Sequence, residues 1–437
     1  MANRARTPLL IAGGILLAGA LLADPLGISA EGFSRGQILI ALVGLLVLVT
    51  AALGERVVDV YKTTAILLLN TLVLLLFIEI GAGVISRIIS EPEEVQEAAQ
   101  NDPRQDVSYY RAQDWSSQYF LEVAALESLA NVYRPFTIWV APSFSGELVN
   151  VDDNHHRRTP GAQCDDDSYT IFAFGGSTMF GVGVPDGGTI PAYVQQKVER
   201  DTPVCTVNFG QSAYVSDQGV IELMREIKAS RIPDLVIFYD GTNDVLAAYQ
   251  NGAAGGHLEQ ARVIELLTGA SDGEALDEQI VDELADKTYT VNLLDRWFRG
   301  DSPPPDDESV QNYRTLGVDE QMLAEAVIQN YLGNYEIVET LAARYDFDFA
   351  FFWQPIIFRE KTLTDEEQAM IDARGAAYRD LFDVAYDVGG EVFHDYANLH
   401  DLSDVFAAHD ELIWGDWLHV TPEGNEIIVN AMLPHLP

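Results

Sequence analysis

Apolar residues are distributed along this chain in two different ways. Up to residue 83 they form unbroken runs, Pro8 to Ala23, Gln37 to Leu53 and Thr63 to Gly83. The longer two approach the roughly 20 residues that cross a bilayer. After residue 165 they come instead in short bursts, separated by stretches with helical spacing. The bursts Tyr169–Phe174, Val204–Phe209, Leu235–Tyr239, Phe347–Trp353 and Glu391–Phe393 predict strands. The stretches Ile190–Arg200, Gln218–Ala229, Glu320–Ala343, Asp365–Asp387 and Pro422–Leu433 predict helices, the last capped by Thr421. Repeated strand–helix units with buried apolar strands define an α/β class, a doubly wound, flavodoxin-like parallel sheet of about five strands flanked by helices.

This pattern divides the chain into a transmembrane region at 1–87 (spans 8–23, 37–53 and 63–83), a polar connector and lead-in at 88–164, and an α/β domain at 165–437. Within the domain, residues 250–315 break the rhythm with Gly255-Gly256 and Ser302-Pro303-Pro304-Pro305. They read as an insertion of the kind that forms a lid or substrate wall. Arg4 and Arg6 precede the first span, and Arg56 and Lys62 lie between the second and third. The positive-inside rule then gives a multi-pass cell-membrane protein with a cytoplasmic N-terminus and an extracytoplasmic C-terminal domain. The first run also fits a cleaved signal peptide. Glu79 falls inside the third span and reads as a residue near the interface or packed between helices.

Charge sharpens the picture. The chain has 26 Lys and Arg against 67 Asp and Glu, a formal net charge of −41, while 48% of its residues are hydrophobic. So acidic a chain repels nucleic acid and anionic headgroups. Its self-repulsion needs screening, which points to a halophile. Cys164 and Cys205 precede and open adjacent predicted strands, so they read either as a disulfide or as two unpaired core residues. Their spacing is not that of a metal site.

Against this background, four segments stand out: Gly175-Gly176-Ser177-Thr178, Asn208-Phe209-Gly210, Gly241-Thr242-Asn243-Asp244 and Gly415-Asp416-Trp417-Leu418-His419. Ser177, at the carboxyl end of the first strand, sits where α/β active sites lie. Gly210 and Asn243 end the next two strands and supply a backbone and an amide N–H. With the Ser177 N–H they make an oxyanion hole. His419 can carry the serine proton, and Asp416 can orient the imidazole. Taken singly, each is an ordinary turn or cap residue; together they are the parts for acyl transfer through a serine ester. Asp244 reads as a brace for its loop. Gln354, Trp414 and Trp417 are candidate substrate-binding residues. His155 and His156 read as surface decoration rather than metal ligands, and His394, His400 and His409 as solvated or capping residues.

On these four segments the chain resembles the SGNH/GDSL hydrolase superfamily of esterases and lipases, with Gly176 where the family usually has Asp. The resemblance covers roughly residues 165–437. It implies Ser177 as nucleophile, His419 as base, Asp416 as its orienting partner, and Ser177, Gly210 and Asn243 as the oxyanion hole. No metal or organic cofactor is required. The expected reaction is hydrolysis of O-acyl esters, acetyl or other short chains, on a cell-surface glycan or on lipid. The alternatives are an acyltransferase to extracellular polysaccharide working with a membrane partner, a lipase or lysophospholipase, and a non-catalytic assembly module. No protein partner is identifiable.

Overall fold

The computed structural model describes residues 2–22, 35–53, 55–85, 91–268, 311–359, 362–372 and 376–437. They form two units, one holding the N-terminal helices and the other the α/β domain.

The first unit contains α1 (Ala2–Leu22), α2 (Arg35–Leu53) and α3 (Glu55–Ile85). All three expected spans are helical, but among the described residues only Lys62–Ile80 is both long and apolar enough to cross a membrane. The apolar parts of the other two, Thr7–Leu22 and Gln37–Ala52, are shorter. At 1.5 Å per residue, they rise less than the roughly 30 Å of a hydrocarbon core. Two glycines let α1 and α2 cross closely. A Cβ on Gly44 would lie 2.8 Å from the Leu17 nitrogen, and one on Gly13 2.9 Å from Leu48 Cγ.

The second unit opens with α4 (Glu91–Asn101), α5 (Ser108–Arg111) and α6 (Ser116–Glu127). Two short antiparallel pairs follow: β1 (Val132–Arg134) with β2 (Ile138–Val140), and β3 (Phe144–Ser145) with β4 (Asn150–Val151). Of the expected connector and lead-in, residues 91–164 fall in the same unit as the α/β domain. Tyr110, Tyr119, Phe120 and Val123 bury themselves with Val149 and Val151 of the lead-in and with Phe180 of the α/β domain. The period of these helices was too short and too polar to announce a core.

The central sheet holds β5 (Tyr169–Gly175), β6 (Val204–Asn208), β7 (Leu235–Asp240), β8 (Asp348–Trp353) and β9 (Leu399–Asp401). All are parallel, in the order β6-β5-β7-β8-β9. This is the doubly wound, flavodoxin-like order, with its switch point between β5 and β7. The helices are α7 (Ser177–Phe180), α8 (Ile190–Lys197), α9 (Ser216–Lys228), α10 (Thr242–Asn251), α11 (Gln260–Thr268), α12 (Glu320–Tyr345), α13 (Asp365–Asp372), α14 (Ala376–Val392) and α15 (Pro422–Met432). The Thr421 hydroxyl caps α15, accepting from the Gly424 N–H at 3.3 Å.

One core lies on each face of the sheet. Phe172, Phe174, Phe238 and Phe351 pack against α9, α12 and α14 on one side. Ile171, Ile237 and Phe352 pack against α8 and α15 on the other. The last strand is not Glu391–Phe393, as expected; those residues finish α14 and a 3₁₀ turn. Leu399–Asp401 takes the edge instead, in register with Phe351–Trp353. Cys164 and Cys205 form a disulfide across a Cα separation of 4.8 Å. The expected insertion lies mostly outside the described residues. Of its described part, residues 250 and 251 finish α10, Gln260–Thr268 forms α11, and the chain returns where the Tyr313 N–H bonds the Tyr249 carbonyl at 2.8 Å.

Candidate active site

The site sits at the carboxyl ends of β5 and β7. Where β5 stops, Gly176 turns the chain directly into α7, so Ser177 opens a helix with its own N–H unused by the helix. The turn is crowded: a Cβ on Gly176 would lie 2.3 Å from Asn243 Nδ2. Any larger residue would have to push that amide aside. Glycine at this position thus leaves room for the Asn243 amide.

A second loop supplies the other half. The carbonyl of His419 accepts from the Gly415 N–H at 2.8 Å, closing a tight loop before α15. Within it, Asp416 Oδ1 accepts the N–H groups of Leu418 (2.8 Å) and His419 (2.7 Å). The carboxylate is thereby fixed facing the ring it must orient. His419 Nδ1 lies 2.8 Å from Asp416 Oδ2, and His419 Nε2 lies 2.8 Å from Ser177 Oγ. Burial alone would raise the Asp416 carboxyl. The charge and hydrogen bond of His419, with Arg104 behind them, hold it well below the usual carboxylate range. Ser177 is only 8% exposed, so the hydroxyl meets His419 in a site with little water.

The donors differ from expectation at one position. Asn243 Nδ2 donates to the Tyr214 carbonyl at 2.7 Å, which fixes the amide and leaves its second hydrogen available. Gly210, by contrast, donates its N–H to Asn208 Oδ1 at 2.9 Å, so it has no hydrogen left for an oxyanion. What glycine does there is packing: a Cβ would come 2.3 Å from the Phe180 nitrogen. Ala213 lies next in the chain to the Tyr214 that anchors Asn243. Ala213 adopts φ 64°, and no acceptor takes its N–H among the described residues. A left-handed alanine costs about 1 kcal/mol or more and is retained where the surroundings require it.

Of the three expected substrate contacts, Trp414 and Gln354 are buried and Trp417 is half-buried. Trp414 is 1% exposed and packs edge-on against Phe406, inside the core. Gln354 is buried, its backbone tied to Asp240 and Tyr386. Trp417 lies edge-on to Tyr378, 5.2 Å away. The aromatic residues flanking Asp416 thus support the loop from beneath, because apolar rings gain more from the core than from the surface.

His155 and His156 are half-buried rather than on the surface, while His394 is exposed as expected. His155 Nδ1 pairs with the Ala141 carbonyl at 2.9 Å, and His156 lies over the Phe209 ring at 4.3 Å. Burial, then the neighbouring His435, pushes His400 down to about 4. Among the described residues, no group of three or more His, Cys, Asp or Glu is arranged to hold a metal ion.

Two arginines that the sequence pattern passed over belong to the site's support. Arg157 is 2% exposed and binds Asp186 Oδ1 (3.1 Å) and the carbonyls of Gly181 (2.5 Å) and Val184 (2.7 Å), clamping the turn after the nucleophile. In the sequence it lies among His155, His156 and Arg158, where nothing marks one residue as buried. Arg104 reaches Asp416, as described below.

No sequence-family profile matches the chain, and no curated protein matches it. Several solved structures resemble it. A member of the lipolytic protein G-D-S-L family from Veillonella parvula DSM 2008 is 11% identical, with 61% of this chain and 96% of that one covered and a TM-score of 0.31. An acetyl xylan esterase, AlAXEase, is 14% identical over 61% and 98%, with a TM-score of 0.31. AlinE4, an SGNH-hydrolase family esterase, is 16% identical over 62% and 96%, with a TM-score of 0.27. Scores this low leave the geometry to carry the chemistry.

Proposed function

We propose that this protein is a serine ester hydrolase, acting on acetyl or other short O-acyl esters of a cell-surface glycan from a membrane anchor. The observation that carries the reading is the continuous relay from Ser177 Oγ through His419 to Asp416, with both links at 2.8 Å. Ser177 Oγ attacks the ester carbonyl as its proton passes to His419 Nε2. The negative oxygen that forms takes hydrogen bonds from the N–H groups of Ser177 and Ala213 and from the Asn243 amide. His419 then returns the proton to the leaving alcohol. A water, deprotonated by the same nitrogen, releases the acid from Ser177.

A cavity borders the loop after Ser177, and none of Ser177, Asn243, Asp416 and His419 lines it. It holds about 180 Å³ between Leu126, Trp139, Phe180, Val182 and Ser212. The anchor reading is supported by α3, and the extracytoplasmic reading by the Cys164–Cys205 disulfide, which persists in oxidising compartments. The test is hydrolysis of p-nitrophenyl acetate and octanoate by the full chain in detergent. Acetate turnover that disappears in Ser177→Ala is expected. Equal turnover in that variant would remove the serine mechanism, and a preference for octanoate would move the substrate to lipid.

A further inference from the structure

The lead-in does more than cover the domain, for three of its side chains reach the two catalytic loops. The Tyr119 hydroxyl accepts from the Gly183 N–H at 2.7 Å, in the loop that follows Ser177. The Tyr110 hydroxyl is wedged between the loops. A Cβ on Gly183 would lie 2.9 Å from it, and one on Gly415 2.4 Å. The third is Arg104, in the 3₁₀ turn Pro103–Asp106. Its guanidinium is gripped by Asp102, with Nε to Oδ1 at 2.9 Å and Nη2 to Oδ2 at 2.6 Å, and lies 5.6 Å from the centre of the Phe120 ring. Its free edge points to the catalytic acid, with Nη1 3.9 Å from Asp416 Oδ2. That oxygen is the one that holds His419 Nδ1.

Given the serine-hydrolase reading, we propose that Arg104 is a positioning residue of the relay. Its guanidinium shares Asp416 with His419 and, balanced by Asp102, sets the net charge that the imidazole experiences. The carboxylate paired with His419 stabilises the imidazolium. A cation on the far side of the carboxylate weakens that pull. Asp102 keeps the cation from cancelling it altogether. The charged and titratable groups around the ring are Asp416, Arg104 and Asp102, the Tyr110 hydroxyl, and the Glu127 carboxylate, which interacts electrostatically with both Arg104 and His419.

The signs are opposite for the two partners and identify the role. Removing Arg104 removes a positive charge that disfavours imidazolium, so the ring should protonate at higher pH. Removing the Asp102 charge should have the reverse effect.

The experiment is an NMR titration of the full chain in detergent with ¹⁵N-labelled histidine, the His419 signal being assigned by its loss in His419→Gln. Arg104→Met is expected to raise the His419 midpoint by about half a unit or more, Asp102→Asn to lower it, and Arg104→Lys to restore it. Unmoved midpoints in folded Arg104→Met and Asp102→Asn would overturn the proposal. If Arg104→Met does not fold, an unmoved midpoint in Asp102→Asn overturns it alone. The titration needs no substrate, so failure of the hydrolase reading, seen as no Ser177-dependent turnover, remains distinct from failure here.

Discussion

The distances at Ser177, His419 and Asp416 leave little freedom to the groups around them, and Asn243 shows why. Its amide is held by the Tyr214 carbonyl at 2.7 Å, so its second hydrogen is aimed before any substrate arrives. Such preorganised donors act on the transition state more than on the bound ester. Asn243→Ala should therefore lower kcat by about 10²–10³ with KM little changed. Steady-state kinetics on p-nitrophenyl acetate checks this, and a loss confined to KM would place Asn243 in binding instead. At this scale the motif residues were legible because Ser and Asn at strand ends, and Asp and His in the turn before the last helix, do work that packing does not require. Ala213 was not. The donor role proposed for it goes with a φ of 64°, and alanine carries no mark of the conformation it is forced into.

Between elements, the oxyanion loop is braced by a buried polar cluster. Asp244, in the first turn of α10, accepts the Ser216 hydroxyl at 2.5 Å, and that hydroxyl also accepts from Asn334 of α12 at 2.9 Å. Burial pushes Asp244 up to about 7, the Ser216 hydrogen bond opposes this, and the charge of Asp217 adds to it. Burial, then the charges of Asp244 and Asp217, also raises Asp240, whose Oδ2 has no partner among the described residues.

A carboxyl that folding raises binds more protons in the native state than in the unfolded chain. Its contribution to stability is therefore complete below the unfolded value of about 4 and is lost as pH rises through about 7. Asp244→Asn stays neutral, so its stability should fall less between pH 5 and pH 8 than that of the natural chain. Urea midpoints at the two pH values measure this; parallel losses would mean that Asp244 is already ionised at pH 5. The sequence suggested Asp244 as a brace from its neighbour Asn243, but its partners Ser216 and Asn334 lie on other helices and left no local trace.

For the molecule as a whole, we have proposed that the domain with the Cys164–Cys205 disulfide is held outside the cell membrane. On that reading, alkaline phosphatase fused after Pro437 should be active in intact cells, since the reporter matures only outside. A green fluorescent protein fused there by the same export route should be dark. The reverse pair of results would put the catalytic domain in the cytoplasm. The N-terminal runs were readable as helices because hydropathy is a local sum. Whether each run is long enough to span depends on where its helix stops, and composition does not give that.

What the sequence determined by itself is whatever depends on short stretches of chain: the strand–helix rhythm of the α/β domain, the Thr421 cap, the strand-end placement of Ser177 and Asn243, and the Asp416–His419 turn before the last helix. Parallel strands buried on both faces must read as apolar bursts, and a turn that carries a polar side chain to the end of a strand must be short. What only the tertiary structure decided depends on residues far apart in the chain. Gly210 became a packing residue because Asn208 takes its N–H. Leu399–Asp401 displaced Glu391–Phe393 at the sheet edge because pairing with Phe351–Trp353 depends on where α14 ends. Arg104 came to stand beside Asp416 because the lead-in folds back onto the domain. A salt bridge in a low-polarity interior is specified by the two surfaces that meet there, and neither segment alone encodes the meeting.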